Sequence, residues 1–342
     1  EVFGANLNAT TQWKLGRTSM GVEFRNEGVK SNVLGKPMKE PQDVPFEKEG
    51  QYLKSDNRSN ISYFLEHNVL LRRFTLSVGV LANYNSALNE GIHFYPGIDA
   101  SYRIGDNVRL YGSWNRALRM PTFTDLYYEG KTNKGNPDLK PEESEAFEVG
   151  LKYNTYFLRA HIAGFYRKGK NMIDWVKEKP EDIWESQNLT KVDNLGFETN
   201  LSLLPRELGN ERFFIRKIEL GYAFIHQDKD SEGYISNYAL DYLKHKFTAQ
   251  LSHSIWKGFS ATWYVRWQDR AGSYTKYENL KPAYEEPYAP YCLVDMKVNW
   301  EYQRLNLYAE LNNLLNSTYY DLGNIPQPGI WFKAGFRYSF KY

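Results

Sequence analysis

The sequence is poor in cysteine and in long apolar runs. Among its 342 residues only Cys292 is a cysteine, so an internal disulfide and a cysteine-based metal cluster are both excluded. No uninterrupted apolar stretch approaches the roughly 20 residues that a membrane-spanning helix needs. The chain is therefore not a helical membrane protein.

The sequence also lacks an excess of charge of either sign. It has 43 basic and 41 acidic residues, a net charge of +2, which argues against a basic surface that binds nucleic acid. Its six histidines fall on separate predicted strands without a partner at metal-ligand spacing, and no serine lies in a G-x-S-x-G context. We therefore predict neither an enzyme nor a metal site.

Aromatic residues, by contrast, are abundant. Tyr, Phe and Trp make up 16% of the chain, although hydrophobic residues reach only 42% and the mean hydropathy is −0.64. This composition suits sheets whose side chains meet an apolar medium at one end and water at the other. It is compatible with a transmembrane β-barrel, because barrel strands alternate lipid-facing and lumen-facing residues and so hide their apolar signal.

Alternation of apolar and polar residues predicts about fifteen strands. They lie near 3–13, 18–34, 59–71, 74–86, 93–103, 107–117, 145–154, 156–172, 186–204, 214–228, 242–255, 259–271, 288–302, 304–317 and 330–341. Many span about ten residues or more, the length that a tilted strand needs to cross a bilayer, whereas strands of soluble sandwiches usually have about 5–6.

The predicted connections alternate between short and long. Short turns fall near 14–16, 71–73, 105–107, 154–155, 256–258 and 303, and longer polar connections at 35–58, 118–144, 173–185, 229–241, 272–287 and 318–329. Only the brief 86–91 and the longer 205–213 blur this pattern. The alternation is typical of an outer-membrane barrel with tight periplasmic turns and long extracellular loops.

Strand direction leads to an expectation about completeness. The last strand follows a long loop and so ends in the periplasm, and an odd number of strands then puts Glu1 on the extracellular side. Bacterial barrels have an even number of strands, and an open hydrogen-bonding edge cannot face lipid. We therefore expect further strands before Glu1, in a chain that is truncated or cleaved and carries no signal peptide.

Three stretches carry a resemblance to a known family. They are Arg116-Ala117-Leu118-Arg119-Met120-Pro121 with Asn136-Pro137-Asp138-Leu139-Lys140-Pro141-Glu142; Asn194-Leu195-Gly196-Phe197-Glu198; and Leu311 to Tyr320 with Phe332 to Phe340. Together they resemble the signature loops and the last two strands of TonB-dependent outer-membrane receptors. The chain departs from the family in placing Lys341 and Tyr342 after the usual final phenylalanine; Tyr342 keeps the outward phase. The prolines of the loop motifs lead us to expect neither a ladder nor a helix until Pro141 is passed.

The resemblance implies an all-β fold, a transmembrane antiparallel β-barrel with about 15 strands of a 22-stranded barrel. Residues 1–342 would form the C-terminal part of that barrel domain, without its plug domain and early strands. It implies a receptor in the Gram-negative outer membrane that binds a scarce nutrient and imports it with energy from the TonB complex, acting through the plug and its TonB box. The loop spacing is most similar to the cobalamin-receptor branch, with ferric siderophore receptors as the alternative. Haem is disfavoured, because no histidine lies between Met120 and Asn136. A passive porin is the alternative from another class, and an outer-membrane enzyme or a soluble β-rich protein are others.

Loop aromatics are the predicted ligand-binding residues, because a large amphipathic ligand is held by flat aromatic surface and a few fixed polar groups. We name Tyr127, Tyr128, Trp184, Tyr234 and Tyr274, together with Arg116 and Arg119 if these arginines face the lumen; further loop aromatics include Trp175, Tyr238, Tyr277 and Tyr284. The alternatives are an aromatic girdle, favoured for Tyr288 and Tyr291, and ion pairs of the arginines with Asp125 or Glu142. Lumen-facing Lys152, Glu148, Arg266, Asp295, Lys297 and Arg337 are expected to solvate the interior or bind the plug.

Cofactors and partners complete the expectations. We predict no cofactor in this chain; calcium would belong to the missing regions. The expected partners are the missing plug and strands, outer-membrane lipid and lipopolysaccharide, and a surface lipoprotein cap over 35–58. Cys292 lies on the apolar face of its predicted strand and is expected to be inert.

Overall fold

The computed structural model describes residues 1–88, 91–179, 181–209, 212–230, 233–236, 242–278, 281–322 and 325–340. The described strands are β1 Val2–Trp13, β2 Gly16–Ser31, β3 Lys36–Asp43, β4 Gln51–Leu70, β5 Phe74–Asn85, β6 Ile92–Ile104, β7 Val108–Arg119, β8 Asn133–Lys134, β9 Glu142–Asn154, β10 Leu158–Lys177, β11 Trp184–Leu203, β12 Ile215–Asp230, β13 Ile235–Ser236, β14 Leu243–Ser254, β15 Phe259–Arg270, β16 Ser273–Glu278, β17 Lys281–Pro287, β18 Tyr291–Tyr302, β19 Leu305–Asn312, β20 Tyr320–Leu322, β21 Ile325–Pro326 and β22 Trp331–Tyr338. One α-helix, α1, spans Phe123–Tyr127, and a 3₁₀-helix spans Pro205–Leu208. The predictions for Tyr238, Lys341 and Tyr342 lie outside the described residues.

The long strands form one antiparallel meander, in which each strand pairs with the next long strand along the chain. Its order is β1-β2-β4-β5-β6-β7-β9-β10-β11-β12-β14-β15-β18-β19-β22. These are the strands predicted from alternation, so the prediction of about fifteen strands is confirmed. The shorter strands β3, β8, β13, β16, β17, β20 and β21 belong to the connections.

The two faces of the meander differ in chemistry. On β9, Val149 and Leu151 are 59% and 38% exposed, whereas the carboxylate of Glu148, on the opposite face, accepts a hydrogen bond of 2.7 Å from Tyr111 Oη. At the end of the meander, Phe332 and Phe336 are 62% and 74% exposed. The face that carries Glu148 and Tyr111 is called the polar face. The face that carries Val149, Leu151, Phe332 and Phe336 is called the apolar face. An apolar face this exposed suits contact with lipid chains.

The connections alternate in length as predicted. One end of the meander carries short turns, apart from the connection that contains the 3₁₀-helix Pro205–Leu208. The other end, called the loop end below, carries the longer connections and all seven short strands. Within the described ranges, no helix has the length and apolar character needed to cross a membrane.

Two strands extend further into the loop end than predicted. β4 begins at Gln51, although the prediction placed its start near 59, and β10 continues to Lys177 beyond the predicted 172. Beyond the apolar band both faces of a strand meet water or other loops, so the alternation that reveals a strand disappears. The predicted connections 35–58 and 173–185 are thus partly strand.

A short helix also corrects the expectation for the loop between β7 and β9. α1 begins after Thr122, whose hydroxyl accepts a hydrogen bond from the Asp125 amide while the Asp125 carboxylate accepts from Thr122 N. This reciprocal pair is a capping box, which satisfies free amides at the start of a helix. Pro121 precedes the helix and therefore does not prevent it.

A group of buried side chains lies at the loop end. They include Pro121, Leu139, Glu142, Asp174, Trp175, Val176 and Ser186. Pro121 and Leu139 come from the connection after β7, Glu142 from the start of β9, and the others from β10 and β11. A small dry core therefore holds these loops together, and it is the setting of the candidate site.

Candidate functional site

The loop 120–141, between β7 and β9, is fastened to β4. Arg58 Nη1 donates a hydrogen bond of 2.6 Å to Pro121 O, its guanidinium lies 5.0 Å from the ring centroid of Phe123, and its Nη2 pairs with Glu27 at 2.7 Å. Tyr127 Oη donates to Asp56 Oδ2 at 2.5 Å. Because β5 and β6 lie between β4 and β7 in the sheet, the loop must fold back over the polar face to make these contacts.

Tyr127 is held as a neutral hydrogen-bond donor. Its partial burial raises the pKa of the phenol, and the hydrogen bond to the Asp56 carboxylate raises it further. The ring also stacks on Phe123, with centroids 6.5 Å apart. Tyr127, a predicted ligand-binding residue, thus already has a hydrogen-bond partner within the chain.

The other side of the loop 120–141 is fastened to β10 and β11 through Asn188. The side chain of Asn188 accepts from Lys140 N at 2.8 Å and donates to Lys140 O at 3.0 Å and to Asn171 O at 2.6 Å. A single amide thus pairs with both backbone groups of Lys140, as a neighbouring strand would. It fixes the turn that carries the motif 136–142.

A buried carboxylate closes the base of the same loop. Glu142 is 8% exposed, accepts two hydrogen bonds from Arg119 at 2.5 and 2.8 Å and a third from Ile173 N at 2.8 Å. Three donors on one carboxylate compensate the cost of burying its charge. The pairing of Arg119 with Glu142 is one of the two alternatives that the sequence left open.

Of the predicted aromatic residues, Tyr128 belongs to this loop and Trp184 lies beside it. The ring of Tyr128 meets Trp175 edge-on at 6.4 Å, and the ring of Trp184 lies 4.5 Å from Lys177 Nζ. Trp184 N also donates to Thr132 O at 2.8 Å, where β8 and β11 pair in parallel. Tyr128 remains 39% exposed, so its ring offers open aromatic surface.

The connection after β12 lies on the same side of the loop end as the loop 120–141. β13 pairs with the end of β10, and Ser236 Oγ donates a hydrogen bond to the buried Asp174 carboxylate. Tyr234 precedes β13 and is half-buried. The structure therefore brings the segments of Tyr127, Tyr128, Trp184 and Tyr234 to one side of the loop end.

Tyr274 belongs to a different group. It is 8% exposed, with its ring centroid 5.1 Å from that of Tyr288 and 5.2 Å from that of Tyr320. Its hydroxyl donates to Glu286 Oε2 at 3.2 Å, and burial, followed by the nearby Glu286 charge, raises the pKa of the Tyr274 phenol. This tyrosine cluster lies on the β15–β18 side of the loop end.

The two predicted arginines lie on opposite faces of β7. Arg116 shares the apolar face with Trp114, and its guanidinium approaches Glu143 at 3.4 Å and Glu145 at 3.6 Å. Arg119 shares the polar face with Tyr111. The expectation that Arg116 faces the lumen is therefore wrong, because it lies three positions from Arg119 along a strand whose side chains alternate between the two faces.

Tyr291 is likewise not a girdle residue. It lies on the polar face of β18, in register with Gln268, and hydrogen-bonds with Gln268 and Asp321. Its ring centroid is 4.7 Å from that of Tyr319, and Arg266 lies 6.0 Å from both rings. Tyr288 is buried beneath Arg270, at 5.6 Å from its guanidinium. The girdle interpretation of both tyrosines is thus corrected.

The polar face carries paired charges away from the loops. Lys297 and Lys333 both contact Glu310, at 2.7 and 2.5 Å, and Tyr111 bridges Glu148 and His161, each at 2.7 Å. Open space of about 710 Å³ and 1050 Å³ lies against this face. Among the described residues, no group of three or more His, Cys, Asp or Glu side chains could hold a metal ion.

Sequence reasoning missed the residues that anchor the loop 120–141. Asp56, Arg58 and Asn188 lie on strand extensions where polar residues occupy both faces, so alternation gives no signal there. The motif 136–142 indicates that the loop has a defined shape. It does not indicate which strands the loop packs against.

Comparison with known proteins identifies the family. The model of the family described as "TonB dependent receptor-like, beta-barrel" matches residues 1–314. A vitamin B12 transporter, BtuB, of Vibrio vulnificus is 25% identical over 191 residues, which cover 51% of this chain and 30% of the relative. The iron-regulated outer membrane virulence protein of Vibrio cholerae is 26% identical over 226 residues, 58% of this chain and 33% of the relative.

Solved structures show the same fold. The ferric enterobactin receptor of Pseudomonas aeruginosa aligns with a TM-score of 0.73 at 19% identity and covers 99% of this chain and 54% of that receptor. The chain thus spans about half of that receptor, and its matches span about a third of the curated relatives.

These findings confirm the predicted transmembrane antiparallel β-barrel, the outer-membrane location and a receptor family that is not one of enzymes. With the family model matched across residues 1–314, the chain belongs to the TonB-dependent receptor-like β-barrel family.

Proposed function

We propose that this chain is the C-terminal part of the barrel of a receptor that binds a corrinoid outside the cell and imports it with energy from the TonB complex. The family supports uptake, and a relative named as a vitamin B12 transporter supports the ligand. The plug domain of the receptor would receive the ligand and contact TonB. The family is one of receptors, which disfavours a passive porin.

The charge balance around the loop 120–141 is the observation that favours a ligand without strong negative charge. Arg58 pairs with Glu27, and Arg119 pairs with Glu142. Cations that already have carboxylate partners offer little to an anionic ligand. The exposed ring of Tyr128 and the aromatic face of Trp184 instead offer surface to a large, flat, amphipathic molecule.

A ferric siderophore is the second candidate, favoured by the opposite side of the loop end. Arg266 and Arg270 lie over tyrosine rings, and within the described ranges neither forms an ion pair with a carboxylate. Arginines placed among aromatic rings suit an anionic aromatic chelate. The relatives include a ferrienterobactin receptor of Escherichia coli, 22% identical over 297 residues.

A parallel titration tests the two candidates. The receptor is extracted from outer membranes with all its co-purifying chains and titrated with cyanocobalamin and with a panel of ferric siderophores. Nanomolar binding of cyanocobalamin alone supports the corrinoid proposal. Binding of a ferric siderophore without corrinoid binding, by a receptor that carries its plug, replaces it with the second candidate.

A further inference from the structure

On the apolar face the lipid-facing band ends, towards the loop end, in a row of aromatic residues. Trp114 and Phe147 are direct partners across β7 and β9, with ring centroids 6.4 Å apart. Tyr166 on β10 lies opposite Phe147 and continues the row. Aromatic rows of this kind mark the level at which lipid chains give way to headgroups.

A row of charged residues follows directly on the same face. Two residues further along each strand, the register aligns Arg116, Glu145, Lys168 and Asp193. The next positions on the face are Glu143, Lys170 and Lys191. These side chains therefore lie at the headgroup level, on the outside of the barrel and away from its lumen.

The carboxylates of this row already have partners. Glu145 Oε1 lies 3.6 Å from Arg116 Nε. Asp193 Oδ2 accepts a hydrogen bond of 2.8 Å from Tyr166 Oη and lies 3.2 Å from Lys191 Nζ. Glu145 thus pairs with Arg116, and Asp193 pairs with Lys191 and accepts a hydrogen bond from Tyr166.

Two lysines remain without a carboxylate. Within the described ranges, neither Lys168 nor Lys170 forms an ion pair, although Lys168 is half-buried. Lys170 lies directly opposite Lys191 across β10 and β11 and opposite Glu143 across β9 and β10, but Glu143 pairs with Arg116 at 3.4 Å. Like charges at directly opposed positions destabilise a sheet. An external anion at Lys168 and Lys170 would relieve this repulsion.

We propose that Lys168 and Lys170 bind the phosphate groups of a phosphorylated lipid of the outer leaflet, whose chains pack on the aromatic row below. Ammonium groups bind phosphate as point charges, and basic residues at a membrane surface attract anionic headgroups. The position of the lysines favours a lipid over free phosphate, because they directly follow Tyr166 of the aromatic row on the lipid-facing side of β10. This inference uses the outer-membrane location but not the identity of the imported ligand.

The test compares the complete receptor with the double variant Lys168→Gln/Lys170→Gln. Arg167→Gln is the matched control, because Arg167 is the adjacent residue on the polar face of the same strand. Each protein is placed in phosphatidylcholine nanodiscs that contain either diphosphorylated lipid A or its dephosphorylated form. The lipid that co-purifies is counted by native mass spectrometry, and heat-modifiable gel mobility verifies that each barrel is folded.

We expect the wild type and Arg167→Gln to retain the phosphorylated lipid about tenfold or more over the dephosphorylated one, and the double variant to lose this preference. Inorganic phosphate at millimolar concentration should not displace the lipid. Equal retention by the wild type and the double variant overturns the proposal. A loss that Arg167→Gln shares, or displacement by inorganic phosphate alone, also overturns it.

Discussion

The phenol of Tyr127 and the carboxylate of Asp56 form a 2.5 Å hydrogen bond across 71 positions of the chain. Together with the bond from Arg58 to Pro121 O, it holds the loop 120–141 against a strand that is not its neighbour in the sheet. Removal of this bond should free one side of the loop without changing the barrel wall.

The variant Tyr127→Phe tests that relationship. It leaves the Asp56 carboxylate without its donor, and we expect the docked state of the loop to lose about 1–3 kcal/mol. Amide exchange across 120–141 should become about 5- to 100-fold faster, as measured by mass spectrometry. Tyr128→Phe is the control, because the hydroxyl of Tyr128 makes no hydrogen bond within the described residues. Similar exchange in both variants would contradict the assignment.

Asn188→Ala should loosen the opposite side of the same loop. The substitution removes three hydrogen bonds to the backbone of Lys140 and Asn171, so we expect a loss of about 1–3 kcal/mol in local stability. The readout is the rate at which trypsin cleaves after Lys140 in the folded receptor. Gln187→Ala serves as the neighbouring control, and an unchanged cleavage rate in Asn188→Ala would show that Asn188 does not fix this turn.

The hairpin of β16 and β17 should lose protection in acid. Lys276 Nζ lies 2.6 Å from Glu286 Oε2, and its hydrogen bond holds the pKa of Glu286 below the ordinary 4.5. Because the folded pKa is the lower one, the contribution of this pair is fully present above about pH 4.5 and is lost as pH falls through the folded pKa.

Amide exchange within 273–278 and 281–287 measures this effect, once the intrinsic pH dependence of exchange is subtracted. The wild-type hairpin should lose protection as pH falls below 4.5. In Glu286→Gln protection should already be low and should not change with pH. A wild-type profile that is flat across this window would exclude a role for the pair.

Two substitutions of Tyr274 distinguish a packing role of its ring from direct contact of its hydroxyl with the ligand. Tyr274→Ala opens a cavity beneath Tyr288 and Tyr320 and should destabilise the hairpin by about 3–5 kcal/mol, whereas Tyr274→Phe keeps the ring and loses only one hydrogen bond. Trypsin cleavage after Lys276 reports the difference. If Tyr274→Phe instead weakens ligand binding without faster cleavage, its hydroxyl contacts the ligand directly.

The long strands could be predicted because a lipid-facing surface imposes strict alternation. Phe259 to Gln268 and Cys292 to Glu301 show it plainly, and both segments form strands of the meander. The signal fails where the constraint ends: β4 from Gln51 and β10 to Lys177 extend into water, where both faces tolerate polar residues. Pro121 hides α1 from a prediction based on helix breakers, because proline is tolerated before a capped first turn.

The site was less predictable, since its contacts join distant segments. The sequence indicated the aromatic loops and offered Glu142 as a partner for Arg119, which the structure contains. It could not show that Arg116 faces outward or that Tyr291 faces inward, because one residue of phase decides the face. Nor could it reveal Asp56 and Asn188, whose partners lie 71 and 48 positions away.

The order of assembly follows from where the buried side chains lie. Asp174 and Val176 contact β13, and Trp175 packs against Tyr128 of the loop 120–141. Each of these segments must first cross the membrane as polar chain, so this packing cannot precede insertion of the barrel strands. Chain folding is thus completed on the cell surface, and reagents or proteases added outside intact cells should find these loops open in newly inserted receptor and closed soon afterwards.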